Sequence, residues 1–326
     1  MKMSQSIFRI AAISLCALGV SISTAKAADF PGDRPITLVV PFSAGGPTDK
    51  VARELALAMG KQLKGQVIVD NSPGAGGTIA AKRVINSKND GYTLLIHHIG
   101  MSTAPALYKN LGFDPMNDYE YVGQVADVPM ILVGNKDLPP KNYQELLPYM
   151  KANVSKISYA NAGVGSASHL CGLLFMSRIQ LDLTTVPYKG TAPALTDLIG
   201  GQTQVMFATM PTILPYVKSD KLRGLAVTGA SRDPSMPDLP SISETLPGFD
   251  VKNWIGLFAP AGTPPAIVKK LHDEVSKIMQ QSAVQKKLES EGAKYYAMTP
   301  EAFGAFQKKE SIRWGKIIKS AGIKPE

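Results

Sequence analysis

Short β-branched runs alternate along this chain with segments of helical period, and no other feature narrows the possible folds so far. Strands are expected over residues 36–42, 66–71, 93–98, 157–161, 184–188, 204–207 and 222–228. Between the first two, Val51, Leu55, Met59 and Leu63 recur every fourth residue, the spacing of one helical face. Strand, helix and strand in that order make a βαβ unit, and its repetition predicts an α/β fold with parallel strands and crossover helices. Two later helices are signalled by Thr263 before Pro264 and Thr299 before Pro300, each placing a proline at the first helical position. Ile267, Leu271, Val275 and Ile278 form the core face of one, and Phe303, Phe306, Trp314 and Ile317 that of the other.

At 326 residues, 44% hydrophobic and 19% charged, the chain has globular composition and the length of two domains. Two places look like crossings between them. Around residues 124–134 a long extended run contains Pro129, and residues 232–247 are punctuated by Pro234, Pro237, Pro240 and Pro247. Two crossings make one lobe discontinuous: residues 28–128 with 248–326 form lobe I, and 129–247 lobe II. A cleft between the lobes follows.

Lys2 and Arg9 precede an apolar stretch over residues 10–22, and Ala25, Lys26 and Ala27 form a small-residue cleavage site. This predicts an export signal over residues 1–27 and a mature protein beginning at Ala28 in the periplasm. The apolar stretch falls short of the ~20 residues of a membrane span. Cys16 leaves with the signal, so Cys171 remains alone and no disulfide framework exists. Loss of the three charges of Lys2, Arg9 and Lys26 lowers the formal net charge from +9 to +6. That mild excess suits an anionic small molecule. Arg-rich runs and aromatic-basic interleaving are absent, which argues against nucleic acid as a partner.

Three Gly-rich turns follow strands and open helices. One runs from Pro41 through Phe42, Ser43, Ala44, Gly45 and Gly46 to Pro47; the second holds Pro73, Gly74, Ala75, Gly76 and Gly77; the third holds Ala162, Gly163, Val164, Gly165 and Ser166. In α/β sheets such turns lie at the carboxyl ends of strands, where ligands bind. Glycine admits close backbone approach, and a helix start offers unpaired N–H groups with partial positive charge, so an anion is the expected guest. On this reading Gly45 and Gly76 face the ligand. A tight strand-to-helix turn would by itself explain any one of these glycines, but three of one construction argue for a site. None carries GxxxxGK[ST] or GxGxxG, so nucleotides are not expected.

A hydrolase would use Ser166 as nucleophile and His169 as base. The turn lacks the G-x-S-x-G elbow, and no motif places an acid to orient the histidine. His97 and His98 are adjacent strand residues, which point to opposite faces and cannot chelate one ion together. One of them is expected in the cleft. His272 reads as solvated surface, and Cys171 as a small buried apolar residue. Neither metal nor cofactor is expected.

The sequence resembles the Bug family, the extracytoplasmic solute receptors of tripartite tricarboxylate transporters. The resemblance spans the mature chain and rests on ordered motifs at residues 40–49, 71–77, 163–170, 186–195, 225–228 and 254–264. It implies a periplasmic binding protein whose two α/β lobes close, as in a Venus flytrap, on a small carboxylate. It further implies that Phe42 to Gly46 and Pro73 to Gly76 hold a carboxylate from one lobe, partly through ordered water. Ala162, Gly163, Gly165, Ser166 and His169, with Lys189, Gly190, Thr191 and Ala192, would approach from the other. His98 and Ser102, in the loop after the third strand, would border the cleft.

The chain departs from many members in carrying Phe207-Ala208-Thr209 where they have Phe-Asp, and His97-His98-Ile99 where they carry small polar residues. With no acid at Thr209 to balance an ammonium group, a dicarboxylate or aromatic acid is favoured over an amino acid. The expected role is capture of that acid and delivery to the transporter's membrane subunits by a monomeric receptor. Presentation of the acid to a sensor kinase is the alternative within the binding class.

Overall fold

The βαβ unit at the start of the chain folds as its periodicity requires. In the computed structural model, which describes residues 30–290, 293–320 and 322–325, β1 (Ile36–Val40), α1 (Pro47–Leu63) and β2 (Val67–Asn71) come first. The expected export signal over residues 1–27 lies outside the described residues. β1 and β2 are parallel, Ile36 opposite Val67 through Val40 opposite Asn71. Leu55 and Met59 on α1 are buried, with Val51 and Leu63 at the edges of the same face.

There follow α2 (Thr78–Ile85), β3 (Thr93–His98), α3 (Gly100–Leu107), β4 (Tyr119–Asn135) and α4 (Tyr143–Ala152). Next come β5 (Ser158–Asn161), α5 (Ala167–Ile179), β6 (Thr184–Pro187), α6 (Thr191–Ile199), β7 (Val205–Thr209), α7 (Met210–Lys218) and β8 (Leu222–Val227). The chain ends with β9 (Lys252–Pro260), α8 (Pro265–Met279), α9 (Ser282–Ser290) and α10 (Pro300–Ser320). Among the described residues no helix is long and apolar enough to cross a membrane.

β4 belongs to two sheets. From Tyr119 to Pro129 it pairs antiparallel with β9, in the order β2-β1-β3-β9-β4. From Met130 onward its partners are β7 on one side and β8 on the other, and β7 leads on through β5 to β6. Pro129, which has no N–H to give a ladder, stands where the exchange occurs. The return crossing is tied to the outgoing one by buried Thr228. Its N–H donates to the Met130 carbonyl at 3.0 Å, its hydroxyl oxygen lies 2.6 Å from the Val251 carbonyl, and its own carbonyl accepts the Val251 N–H at 3.1 Å.

All seven expected strands are present, with ends shifted by two residues or fewer. β4, expected only as a long extended run around residues 124–134, and β9 are the additions. Both are buried along nearly their whole length, so neither shows the alternation that marks a half-exposed strand, and β4 is further interrupted by two irregularities in its pairing with β9. Two local expectations need correction. Pro264 caps α8 rather than opening it, and Thr263 instead donates its hydroxyl to the Pro260 carbonyl at 2.7 Å. His272 is half-buried against β4, with Nδ1 2.8 Å from the Val122 carbonyl. Trp314 is core, as its spacing required, and donates its indole N–H to Glu310 at 3.1 Å.

Asp127 lies two residues before the exchange point, with 15% of its side chain exposed and Lys252 Nζ at 4.0 Å. Burial pushes its carboxyl up to about 6 against the attraction of Lys252, and Asp250 and Glu310 add to the effect. A carboxyl whose folded pKa exceeds its unfolded value costs stability once the unfolded chain ionises; the cost is absent at acid pH and saturates above the folded pKa. Asp127→Asn is therefore expected to raise unfolding free energy at pH 8 by on the order of 2 kcal/mol and to leave it near wild type at pH 4. Denaturant titrations at the two pH values check this. Equal gains at both would show that the carboxyl is not responsible.

Candidate functional site

Four helices begin around one narrow cavity. The turn after β1 opens α1, with Gly46 as N-cap and Pro47 first; the turn after β5 opens α5, with Ser166 as N-cap. Gly190 caps α6, and Thr209 ends β7 and caps α7. The wall takes Phe42, Pro47 and Thr48 from the first of these starts, and Ala162, Ser166, Ala167 and Ser168 from the second. Thr191, Ala208 and Thr209 come from the other two, and His98 from the end of β3. Met130 and Asn253, on the crossing strands β4 and β9, complete it. No Lys, Arg, Asp or Glu is among these wall residues. The charge that the site presents is therefore the partial positive charge of helix starts, each with N–H groups that have no partner inside its helix.

The Ser166 side chain accepts the His169 N–H at 3.2 Å and lies 3.0 Å from the Ser168 hydroxyl, which in turn accepts the Ala162 N–H. This cap leaves the Ala167 and Ser168 N–H groups as the unpaired donors of the first turn. His169 Nδ1 accepts the Gly165 N–H at 3.2 Å, and burial holds its pKa down to about 4. The imidazole thus serves the turn, and Ser166 Oγ is bonded to the His169 backbone N–H rather than to its ring.

His98 stacks on Phe42, centroids 4.7 Å apart, and its Nδ1 accepts the Gly100 N–H at 2.9 Å. Burial, reinforced by His97, holds it well below the usual imidazole range, so it is neutral with its proton on Nε2, a donor. The two histidines do not part to opposite faces as strand alternation predicts. The chain leaves β3 at His98 and turns into α3, and the rings meet edge to face at 4.9 Å. His98 lines the cavity, while His97 lies beneath Gly77, where a Cβ would stand 2.4 Å from Nε2.

Several expected ligand residues lie off the cavity wall. In the first turn the Gly45 N–H is taken by Asp49 at 2.8 Å, and the Gly46 N–H points to the Ser43 carbonyl at 3.4 Å. Ala44 and Gly45 are exposed, and a Cβ on Gly45 would meet nothing within 4 Å. Although burial alone would raise the Asp49 carboxyl, hydrogen bonds from Arg53, Gly45 and Asn71 hold it below its usual value. Asp49 thereby fixes the turn, and Asn71 adds a bond to the Phe42 carbonyl at 2.9 Å.

Ser43 donates its hydroxyl to the Lys189 carbonyl at 2.7 Å, joining the first turn to the Lys189–Gly190 turn, while the Lys189 side chain is exposed. In the second turn, Pro73, Gly74, Ala75 and Gly76 also stand away from the wall. A Cβ on Gly76, at φ +61°, would lie 1.9 Å from the Val164 carbonyl oxygen, which also accepts the Tyr108 hydroxyl at 2.9 Å. Gly163 and Gly165 shape the third turn, with the Gly163 N–H given to Asn161 Oδ1. Ala192 follows Thr191 into α6 but is not part of the wall. Ser102 faces α10, its hydroxyl 3.2 Å from the Gln307 carbonyl.

Sequence reasoning missed Pro47, Thr48, Ala167, Ser168 and Ala208, all neighbours of residues it named, and Met130 and Asn253, which no motif marks.

Residues 51–323 match the family profile described as the tripartite tricarboxylate transporter family receptor. The periplasmic binding protein BugD has a similar structure, with a TM-score of 0.87 and 43% identity over 90% of this chain and 99% of that one. An R. palustris protein solved with adipate shares 34% identity over 91% and 100% of the two chains, at a TM-score of 0.88. MatC from Rhodopseudomonas palustris, with bound malate, shares 37% over 89% and 100%, at 0.85. The chain belongs to the tripartite tricarboxylate transporter receptor family, the Bug family of two-lobed periplasmic solute-binding proteins.

Proposed function

We propose that this receptor captures a small dicarboxylate in the cavity between two lobes and delivers it to the membrane subunits of its transporter. The observation that carries the reading is the meeting of four helix starts on a wall without charged side chains. Directed N–H contacts to a carboxylate contribute about 1.5–3 kcal/mol each, against ~0.3–1 kcal/mol for a screened helix dipole, so the N–H groups dominate. Donors stand on both sides: α1 and His98 on one, α5, α6 and Thr209 on the other. That arrangement suits an acid charged at both ends, and the adipate and malate of the two relatives are such acids. An ammonium group would find no counter-charge on the wall.

The lobes of this reading are residues 28–128 with 248–326, and residues 129–247. The partner exchange of β4 after Pro129 and the start of β9 at Lys252 support that division. Closure brings the Gly-rich turns together through Ser43 with Lys189, and Gly76 and Tyr108 with Val164.

Ligand that binds only the native state raises its melting temperature. In a thermal-shift screen of mono-, di- and tricarboxylates, sugars and amino acids, dicarboxylates are expected to raise the midpoint and to be recovered unchanged. A shift with sugars or cationic amino acids and none with dicarboxylates would overturn the reading, and turnover of the acid or its esters would replace a receptor by an enzyme.

Gly45 and Gly76 separate turn strain from closure. Gly45→Ala is expected to cost about 1 kcal/mol of stability, from its φ of +81°, and to leave affinity near wild type. Gly76→Ala must push the second and third turns apart, and is expected to weaken binding of an effective dicarboxylate roughly tenfold or more. Calorimetric titration well below the melting temperature compares them. Wild-type affinity in the Gly76 variant would show that its contact with Val164 is not part of the ligand-bound state.

A further inference from the structure

We propose that Asn253 reads a hydroxyl on the carbon skeleton of the bound acid, which makes hydroxy-dicarboxylates the preferred class. The inference rests on the dicarboxylate reading above and goes beyond it. Asn253 lies on β9 opposite Val128 of β4, is 1% exposed, and forms part of the cavity wall. Its Oδ1 is buried with no hydrogen-bond partner among the described residues. A buried acceptor left without a donor is costly, and an apolar side chain of the same shape would remove the cost. The same wall carries the apolar side chains of Met130, Phe42 and Ala208, so it tolerates apolar surface. A polar group kept there at a cost to stability points to a partner that arrives with the ligand.

The chemistry of that partner follows from the rest of the wall. Helix-start N–H groups and the His98 Nε2 proton are donors, and they suit carboxylate oxygens. An ionised carboxylate has no proton to offer Oδ1. The acceptor calls for a donor on the ligand, either a hydroxyl or an ammonium. No acid among the wall residues balances an ammonium, so the hydroxyl remains. Its place agrees. Asn253 stands on the crossing strand β9 and shares the cavity wall with residues of the α1, α5, α6 and α7 starts, so an acid held by those starts at both ends would carry its skeleton past this strand.

Titration calorimetry with malate and succinate, four-carbon diacids that differ by one hydroxyl, tests the inference. The pair of 2-hydroxyadipate and adipate repeats the comparison at greater length. Wild type is expected to bind the hydroxy acid of at least one pair tenfold or more tighter than its partner, since a site built around a ligand hydroxyl rejects the analogue without it. In Asn253→Leu that preference is expected to collapse to within about threefold, while the ligand-free melting temperature stays at or above wild type. A purely structural role would instead lower the melting temperature and keep the preference. Should the leucine variant misfold, Asn253→Ala, which only removes atoms, reads the same comparison. Diacids that bind wild type without preference for the hydroxyl, or a variant that keeps the preference, would overturn the role of Asn253 alone. Failure of all four acids to bind wild type would overturn the dicarboxylate reading and this inference with it.

Discussion

One strand serves two sheets, and the rest of the molecule is arranged around that fact. β4 runs from Tyr119 to Asn135 and changes all its neighbours at Pro129. A second crossing must accompany it, because the chain returns to the first sheet as β9. Thr228 holds the two crossings together with both its backbone groups and its hydroxyl, fully buried. A buried clasp of this kind leaves few ways for the strands to slide past each other. What lies above it is a gap bordered by the ends of strands from both sheets. Helix starts collect there because each parallel strand must be followed by a helix.

Such a gap presents partial positive charge without charged side chains on its wall. Backbone N–H groups at helix starts are fixed by the helices themselves and lose little freedom when a ligand arrives, whereas a lysine would first have to be ordered. The charged groups near the site act at one remove. Asp49 takes up the Gly45 N–H and is held by Arg53 and Asn71, so its charge is spent on the shape of the first turn. His98 and His169 are kept neutral by burial and use their ring nitrogens to orient neighbouring backbone.

The glycines of the turns answer to two different demands. Gly45 has open space around its missing side chain, so what it supplies is a positive φ. Gly76 has a backbone carbonyl of another turn where its side chain would be, so what it supplies is close approach. Identical residues in similar turns thus differ in function, and the difference lies in what stands across the cleft.

The order of strands, turns and helices was legible in the chain itself, because hydrophobic period and turn chemistry are local properties. The same holds for the meeting of Gly-rich turns at one end of the sheet, which follows once the strands are known to be parallel. Phe42, Ser166, Thr191 and Thr209 could be named as site residues on those grounds together with a family resemblance. β4 was legible only as an extended run around residues 124–134 and β9 not at all, since burial along nearly their whole length erases their alternation. Nor could the chain alone say that Gly45 turns away from the cavity while Pro47 and Thr48 face it, since that depends on the hydrogen bond from Gly45 to Asp49. Met130 and Asn253 carry no motif. Asn253 reaches the cavity through the pairing of β9 with β4 and Met130 through that of β4 with β7, pairings between distant parts of the chain that tertiary contacts alone decide.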